Sequence, residues 1–134
     1  MTEKIFAYGT LMGGFDRLRR AGIDTRMRFV ARGWITGALY DLGLYPVAIP
    51  APDGRVWGEL YDVEDDPSVV QKLDEIEGFR PNDPDTSLYV RAQAEVTLDT
   101  GETSTAWVYF YNAPLGQGGR IESGDYLEHL RVKS

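Results

Sequence analysis

Cysteine is absent from this chain of 134 residues, and histidine occurs once, as His129. Without cysteine there are no disulfide bonds, thiolate nucleophiles or zinc-finger sites, and the composition is typical of a reducing compartment. A single histidine provides no cluster for a metal site, and the nucleophile-elbow sequence of serine hydrolases is also missing. We therefore expect no metal site, and we expect His129 to face solvent near the C-terminus.

Long apolar runs and an excess of positive charge are also missing. No segment approaches the roughly 18 apolar residues of a membrane-spanning helix, and residues 1–6 do not have the charge and hydropathy pattern of a secretory leader. The formal net charge is -7 at pH 7, whereas nucleic-acid binding depends on a cationic surface. We expect a cytoplasmic protein that binds neither membrane nor nucleic acid.

What is present is the composition of a globular chain, with 43% hydrophobic residues and with its 15 glycines and 7 prolines scattered. The length favours a single domain over residues 1–134. Alternating polar and apolar residues predict strands at 4–8, 27–30, 34–42, 45–49, 56–63, 90–98 and 104–111. Pro52-Asp53-Gly54 and Asp99-Thr100-Gly101 are typical of hairpin turns, and each is expected to join the strands on either side of it.

Three helices are predicted between and after these strands. The first covers residues 15–21 and ends at Gly22, the second covers 67–77, and the third lies within 121–131 with Ser123 as its cap. The second has the clearest limits, because Asp66 can cap it, Pro67 suits the first turn and Gly78 suits the end. The predicted fold is α+β: a small mixed, mainly antiparallel curled sheet or barrel flanked by short helices.

Glu77 is a carboxylate on the apolar face of the second helix. At about 100° per residue it shares an arc with Val69 and Leu73, whereas Asp74 and Glu75 fall outside that arc and are expected in water. Loss of hydration and the negative end of the helix dipole both disfavour the charged carboxylate. We expect a pKa above the usual value of about 4.3, which favours general acid and base chemistry. The alternatives are a side chain that turns outward and one that pairs with Arg91.

A glycine-rich turn, residues 9–14, follows the first strand. Its glycine spacing is that of a P-loop, but Phe15 and Asp16 stand where that motif requires lysine and serine or threonine. The nucleotide-binding interpretation therefore fails. What remains is a turn whose backbone N–H groups can converge on a carboxylate or carbonyl oxygen, or a tight turn with no ligand.

Several short motifs, in order along nearly the whole chain, resemble one known family. They are Phe6-Ala7-Tyr8-Gly9-Thr10-Leu11, Gly37-Ala38-Leu39-Tyr40, Gly43-Leu44-Tyr45-Pro46, Gly58-Glu59-Leu60-Tyr61, Leu73-Asp74-Glu75-Ile76-Glu77-Gly78, Tyr89-Val90-Arg91 and Val108-Tyr109. Together they are similar to the gamma-glutamylcyclotransferase-like proteins, and most similar to the branch that acts on gamma-glutamylamines. The resemblance implies a small mixed barrel flanked by helices.

The resemblance also implies a reaction and its residues. The α-amine of a γ-glutamyl group attacks its own γ-carbonyl, closes 5-oxoproline and expels an amine or amino acid, with no cofactor. Glu77 occupies the position of the family's catalytic acid/base, and Tyr8, Gly9, Thr10 and Leu11 occupy the turn that binds the γ-glutamyl end. Further candidates for the pocket walls are Tyr89, Tyr109 and Tyr111. The alternative is a non-catalytic module that binds a small metabolite or a protein partner through the same pocket.

Overall fold

The computed structural model describes residues 3–9, 12, 22, 26–43, 45–63 and 67–133. Its strands are β1 (Glu3–Ala7), β2 (Met27–Thr36), β3 (Ala38–Asp41), β4 (Pro46–Ile49), β5 (Arg55–Val63), β6 (Tyr89–Leu98), β7 (Thr103–Tyr111) and β8 (Gly119–Arg120). Its helices are α1 (Pro67–Glu77), α2 (Tyr126–Lys133) and the 3-10 turn Pro84–Thr86. The α+β class is confirmed. The predicted helix at 15–21, Asp66, Thr10 and Leu11 lie outside the described residues.

Five strands close into a barrel in the order β1-β5-β2-β6-β7, and β7 returns to β1. The ladders are antiparallel except the closing contact between β1 and β7, where Ile5 lies opposite Trp107. A separate sheet has the order β4-β3-β8. The predicted curled, mainly antiparallel barrel is thus confirmed, with a small second sheet beside it.

The pairing of β4 differs from the prediction. Pro52-Asp53-Gly54 does turn the chain, but β4 pairs with β3 and β5 pairs with β1 and β2, so the two strands belong to different sheets and the predicted hairpin is wrong. A turn sequence specifies where the backbone reverses, whereas the partner of a strand depends on which face it must bury. Here β4 buries Val47 and Ala48 completely beside the strand that precedes it.

The boundaries of β2 and β3 also differ from the prediction. β2 is one strand from Met27 to Thr36 with an irregularity in register between Phe29 and Ala31, where two separate segments were predicted. The predicted segment 34–42 is instead divided at Gly37, whose N–H donates to the carbonyl of Gly54 at 3.3 Å. The chain therefore leaves the barrel at this glycine and enters the small sheet.

The core lies inside the barrel and beneath α1. Fully buried side chains come from the barrel strands and from the helix, among them Ile5, Val56, Val108, Val69 and Leu73. Removing such a side chain from water stabilises a fold by about 1.5–3 kcal/mol. α1 is consequently held in the same core as the barrel strands by the apolar stripe that predicted it.

The second described helix begins later than predicted. The carboxylate of Asp125 accepts from the backbone N–H groups of Leu127 at 3.1 Å and Glu128 at 3.4 Å, so Asp125, and not Ser123, caps α2. The Ser123 hydroxyl accepts instead from the N–H of Asp125 at 3.2 Å. Among the described residues, neither helix has the length and apolarity needed to cross a bilayer.

Candidate functional site

Glu77 is the last residue of α1, and its side chain is turned into the protein. Only 6% of it is exposed, and the inward orientation predicted from the helical period is confirmed. Gly78, at φ +69°, ends the helix: its N–H donates to the carbonyl of Glu75, and the N–H of Phe79 donates to the carbonyl of Asp74 at 2.8 Å. This pair of bonds is a Schellman motif. It fixes the backbone of Glu77 just where the helix stops.

Tyr8 follows β1 and lies close to this carboxylate. Its hydroxyl donates to the carbonyl of Tyr109 at 2.6 Å and accepts from the N–H of Ala48 at 3.3 Å. Burial raises the pKa of Tyr8 well above its ordinary value, and the charges of Tyr89 and Glu77 add to the effect. The phenol therefore stays protonated and connects β1, β7 and β4 beside Glu77.

The turn after Tyr8 begins with a glycine for a steric reason. A Cβ on Gly9 would lie 2.8 Å from Cγ of Pro46, closer than a side chain permits. The carbonyl of Gly9 accepts from the N–H of Met12 at 3.0 Å, which closes a tight turn. This bond supports the start of the predicted turn. Thr10, Leu11, Gly13 and Gly14 lie outside the described residues, and the parts assigned to Thr10 and Leu11 stay predictions.

Asp74 lies one helical turn before Glu77 and is also buried, with 6% exposure. The prediction that it would stay in water is wrong, whereas Glu75 is exposed as expected. Asp74 accepts a hydrogen bond from the Tyr109 hydroxyl at 2.6 Å and one from Nε of Arg91 at 2.9 Å. These partners replace the water that a buried carboxylate loses, so the helix can place this charge inside.

The Tyr109 hydroxyl is held between charges. Burial, its hydrogen bond to Asp74 and the charge of Asp74 raise the pKa of Tyr109 far above its ordinary value, while Arg91 opposes the shift and Glu77 adds to it. The charge of Glu77 contributes to the raised pKa of both Tyr8 and Tyr109, so the three side chains lie close enough to interact electrostatically.

Tyr89 and Tyr111 form the remaining aromatic wall. They are directly opposite in the β6–β7 ladder and their rings meet edge to face, with centroids 5.3 Å apart. Partial burial raises the pKa of Tyr111, as does a hydrogen bond with the Tyr45 side chain. The structure thus brings Tyr8, Tyr89, Tyr109 and Glu77 together and attaches Tyr111 to them through Tyr89.

His129 occupies a different place. Its Nε2 lies 2.7 Å from Oδ2 of Asp41, and 28% of its side chain is exposed, so the prediction that it faces solvent is wrong. The pairing arises because α2 packs on the small sheet, where β3 provides Asp41. Both residues line a cleft of about 690 Å³ with Leu42, Tyr45 and Leu115, and Glu77 is not among its lining residues.

Arg91 and Asp74 were not predicted as site residues. Arg91 was considered as a partner of Glu77, but its ion pair in the structure is with Asp74. The sequence does contain one indication that Asp74 belongs to the site: residues three apart on a helix are neighbours, and Asp74 precedes Glu77 by three. The other signal, the cross-strand pairing of Arg91 with Tyr109, requires the register of β6 and β7.

The fold and the site together define a small α+β barrel protein with a buried acid and tyrosine cluster at one helix end. A family model described as "Gamma-glutamyl cyclotransferase, AIG2-like" matches residues 5–128. The chain belongs to this family, as its motifs predicted.

Individual relatives agree with this assignment. The chain is 30% identical over 130 residues to the MJ1514 protein of Methanocaldococcus jannaschii, an alignment that covers 95% of this chain and 98% of that protein. It is 32% identical over 90 residues to the gamma-glutamylcyclotransferase family protein YtfP of Escherichia coli, which covers 67% of each.

Solved structures share the fold. The solution structure of Escherichia coli YtfP superposes with a TM-score of 0.67 at 28% identity and covers 94% of this chain and 97% of that one. The crystal structure of YkqA from Bacillus subtilis gives a TM-score of 0.75 at 24% identity and covers 99% of this chain. This chain spans only 42% of the YkqA chain, so that likeness shows the fold alone.

Proposed function

We propose that this protein is a cyclotransferase that releases 5-oxoproline from a γ-glutamyl amine or γ-glutamyl amino acid. The observation that carries the proposal is the carboxylate of Glu77, which is 6% exposed at the end of α1 and shares an electrostatic neighbourhood with Tyr8 and Tyr109. Membership of the family supports the reaction class. The substrate is a small molecule, and we place the reaction in the cytoplasm.

Ring closure needs proton transfer more than it needs binding energy. The attacking amine and the γ-carbonyl belong to one molecule, so folding the substrate chain brings them into contact without a second reactant. The amine must first lose a proton, because an ammonium group has no lone pair. A buried carboxylate within reach of the nitrogen is suited to take that proton.

The proposed sequence uses Glu77 twice. Glu77 removes a proton from the substrate ammonium group, and the free amine forms the new C–N bond with the γ-carbonyl carbon. The ring nitrogen of the tetrahedral intermediate still carries two hydrogens, and it gives up one of them as the original amide C–N bond breaks and Glu77 returns the first proton to the departing nitrogen. The second proton passes to the released amine, which leaves as an ammonium ion, and the carboxylate of Glu77 is regenerated.

The turn after β1 would hold substrate oxygens. Gly9 brings the backbone close to Pro46, and the resemblance assigns the turn formed by Tyr8, Gly9, Thr10 and Leu11 to the γ-glutamyl end. Backbone N–H groups aimed at a developing oxyanion are a common and effective means of stabilising it. The walls of the pocket would be formed by Tyr8, Tyr89, Tyr109 and Tyr111. The hydroxyls of Tyr8 and Tyr109 already donate to protein groups, so these two residues would contribute their rings.

The test is a product assay on a panel of γ-glutamyl amines and γ-glutamyl amino acids. We expect 5-oxoproline and the free amine to appear in equal amounts from at least one of them. N-acetyl-γ-glutamyl analogues are the matched control and should give no product, because acetylation delocalises the nitrogen lone pair into the acetyl carbonyl and the nitrogen can no longer attack.

Two results would contradict the proposal. Release of glutamate in place of 5-oxoproline would mean attack by water on the amide. Saturable binding of the panel with no product would mean a binding module, the alternative that the sequence left open.

A further inference from the structure

We propose that Asp74 and Arg91 are positioning residues that set the charge around Glu77, with Arg91 cancelling the field of the neighbouring carboxylate. This inference rests on the proposed function for its catalytic meaning. Its geometric basis is the ion pair between Arg91 and the buried carboxylate of Asp74, and neither residue has a role in substrate binding in the proposed mechanism.

The ion pair is firmly held on both sides. Arg91 donates to Asp74 through Nε at 2.9 Å and reaches its second oxygen through Nη2 at 3.5 Å. The guanidinium carbon lies 4.3 Å from the centre of the Trp107 ring and 5.5 Å from that of Phe79. With an acid and two aromatic rings around it, the guanidinium has a fixed orientation.

The Asp74 carboxylate also orients the tyrosines. It accepts a hydrogen bond from the hydroxyl of Tyr109. The backbone carbonyl of Tyr109 accepts one from the hydroxyl of Tyr8, and the oxygen of that hydroxyl accepts one from the N–H of Ala48. This series of hydrogen bonds runs from α1 through β7 to β1 and β4. Loss of the carboxylate would therefore change the orientation of groups that face Glu77.

The charge balance is the more specific consequence. Asp74 and Glu77 are three residues apart on one helix, and side chains at that spacing are neighbours. An uncompensated charge on Asp74 so close would favour the protonated form of Glu77. Arg91 supplies the compensating charge from β6, so Glu77 can lose its proton without a second uncompensated anion beside it.

Several titratable groups of the described residues lie near Glu77. Asp74 is on the same helix, the charge of Glu77 acts on Tyr8 after β1 and on Tyr109 of β7, and Tyr89 and Arg91 of β6 lie beside Tyr8 and Asp74. Because their pKa values are raised, Tyr8 and Tyr109 stay neutral throughout the acidic and neutral range. The charges that can act on Glu77 in that range therefore include those of Asp74 and Arg91, which have opposite signs.

The experiment follows the titration of Glu77 in variants that remove each charge in turn. With glutamate ¹³C-labelled in its side chain, NMR follows the ionisation of the Glu77 carboxyl group in the absence of substrate. The Glu77→Gln variant identifies the Glu77 signal, because that signal is missing from its spectrum. Asp74→Asn keeps an oxygen for Tyr109 but leaves Arg91 unpaired, so the midpoint for Glu77 should fall by about one pH unit. Arg91→Gln leaves Asp74 unpaired, so the midpoint should rise by about the same amount.

Two further variants separate charge from structure. Arg91→Lys keeps the charge and should leave the midpoint near that of the native protein, and the Asp74→Asn, Arg91→Gln double variant should restore it. If Asp74→Asn does not fold, as judged by thermal unfolding, the comparison of Arg91→Gln with Arg91→Lys still decides. Shifts in the same direction for both single variants, or no shift in either, would overturn the inference.

The pH dependence of turnover provides the second measurement. On any substrate that the panel identifies, the acidic limb of kcat/KM should move in the same directions as the NMR midpoint. Turnover with an unmoved acidic limb would refute the positioning role and leave the cyclotransferase proposal intact. Absence of turnover on the whole panel would refute the cyclotransferase proposal, and the NMR titration would still test the charge balance.

Discussion

At the scale of single residues, the hydroxyl of Tyr8 contributes to the site by holding it in place. It has one proton to donate and gives it to the Tyr109 carbonyl, and it accepts from the N–H of Ala48. All three residues are buried. A buried polar group that loses its partner has no water to replace it, so this hydroxyl matters for the folded state whether or not substrate is present.

We therefore expect Tyr8→Phe to lower the free energy of unfolding by about 1–3 kcal/mol. Urea denaturation measures this loss. 5-Oxoproline release should persist at temperatures where the variant is folded. Tyr40→Phe is the matched control, because its hydroxyl has no hydrogen bond among the described residues, and it should change stability by less than about 0.5 kcal/mol. Loss of turnover with unchanged stability would show instead that the Tyr8 hydroxyl acts on the substrate.

Glu77 and Asp74 show how far the sequence predicts the site. The helical period alone identifies Glu77 as inward, because its neighbours on that face are Val69 and Leu73. The burial of Asp74 could not be predicted in this way, since it depends on Arg91 and Tyr109, which arrive from strands more than fifteen residues along the chain. Local periodicity locates a residue on a face, but its charge partners are a tertiary property.

At the scale of elements, the limits of α1 were predicted correctly because they depend on local chemistry. The helix runs from Pro67 to Glu77, as the sequence indicated. Proline at the first position and glycine in a left-handed conformation after the last one act through their own backbone geometry. Gly78 at φ +69° shows this directly. Such signals need no information about the rest of the fold.

Strand pairing was harder to predict for the opposite reason. The Asp99–Gly101 turn does join β6 to β7, while the turn at 52–54 leads from one sheet to another. Both turns have similar sequences, so turn chemistry cannot distinguish them. β8 has two residues, too few for an alternating pattern to be seen, and it was not predicted.

At the scale of the whole molecule, the pairing of β1 and β2 with opposite edges of β5 brings charges from three strands together. Asp62 on β5 forms ion pairs with Lys4 on β1 and Arg28 on β2. The hydrogen bond from Lys4 lowers the pKa of Asp62 below its ordinary value, and Arg28 adds to the effect. The pairs exist only when β1 and β2 flank β5, so they report on the assembly of these three strands.

A prediction about pH follows from this lowered pKa. Asp62 binds a proton less readily in the folded than in the unfolded chain, so it stabilises the fold fully above its unfolded pKa of about 3.9 and loses that effect as the pH falls through the folded value. Asp62→Asn should therefore reduce the free energy of unfolding at pH 7, by less than about 1 kcal/mol for each ion pair, and by a smaller amount near about pH 3.

Urea denaturation at a series of pH values measures this dependence. Asp53→Asn, in the exposed turn after β4, is the control and should change the free energy of unfolding by less than about 0.5 kcal/mol. A destabilisation by Asp62→Asn that is equal at both ends of the range would contradict the lowered pKa.

The fold class could be predicted from the sequence, but the contact that closes the barrel could not. Seven alternating segments and an amphipathic helix indicate a small α+β barrel, and the resemblance of the motifs indicates the family. The parallel contact of β1 with β7 joins residues more than one hundred positions apart. No local pattern contains that information, and it is this contact that brings Tyr8 beside Tyr109.

The central claim is that Glu77 carries the protons of the reaction, and the most direct measurement is the rate of 5-oxoproline release by Glu77→Gln beside Glu75→Gln. The two glutamates lie on one helix, and they differ in exposure, since Glu77 is buried while 73% of the Glu75 side chain is exposed. We predict that Glu77→Gln lowers kcat by about 10²–10⁴ and remains folded, whereas Glu75→Gln retains the native rate. Full turnover by Glu77→Gln would contradict the account.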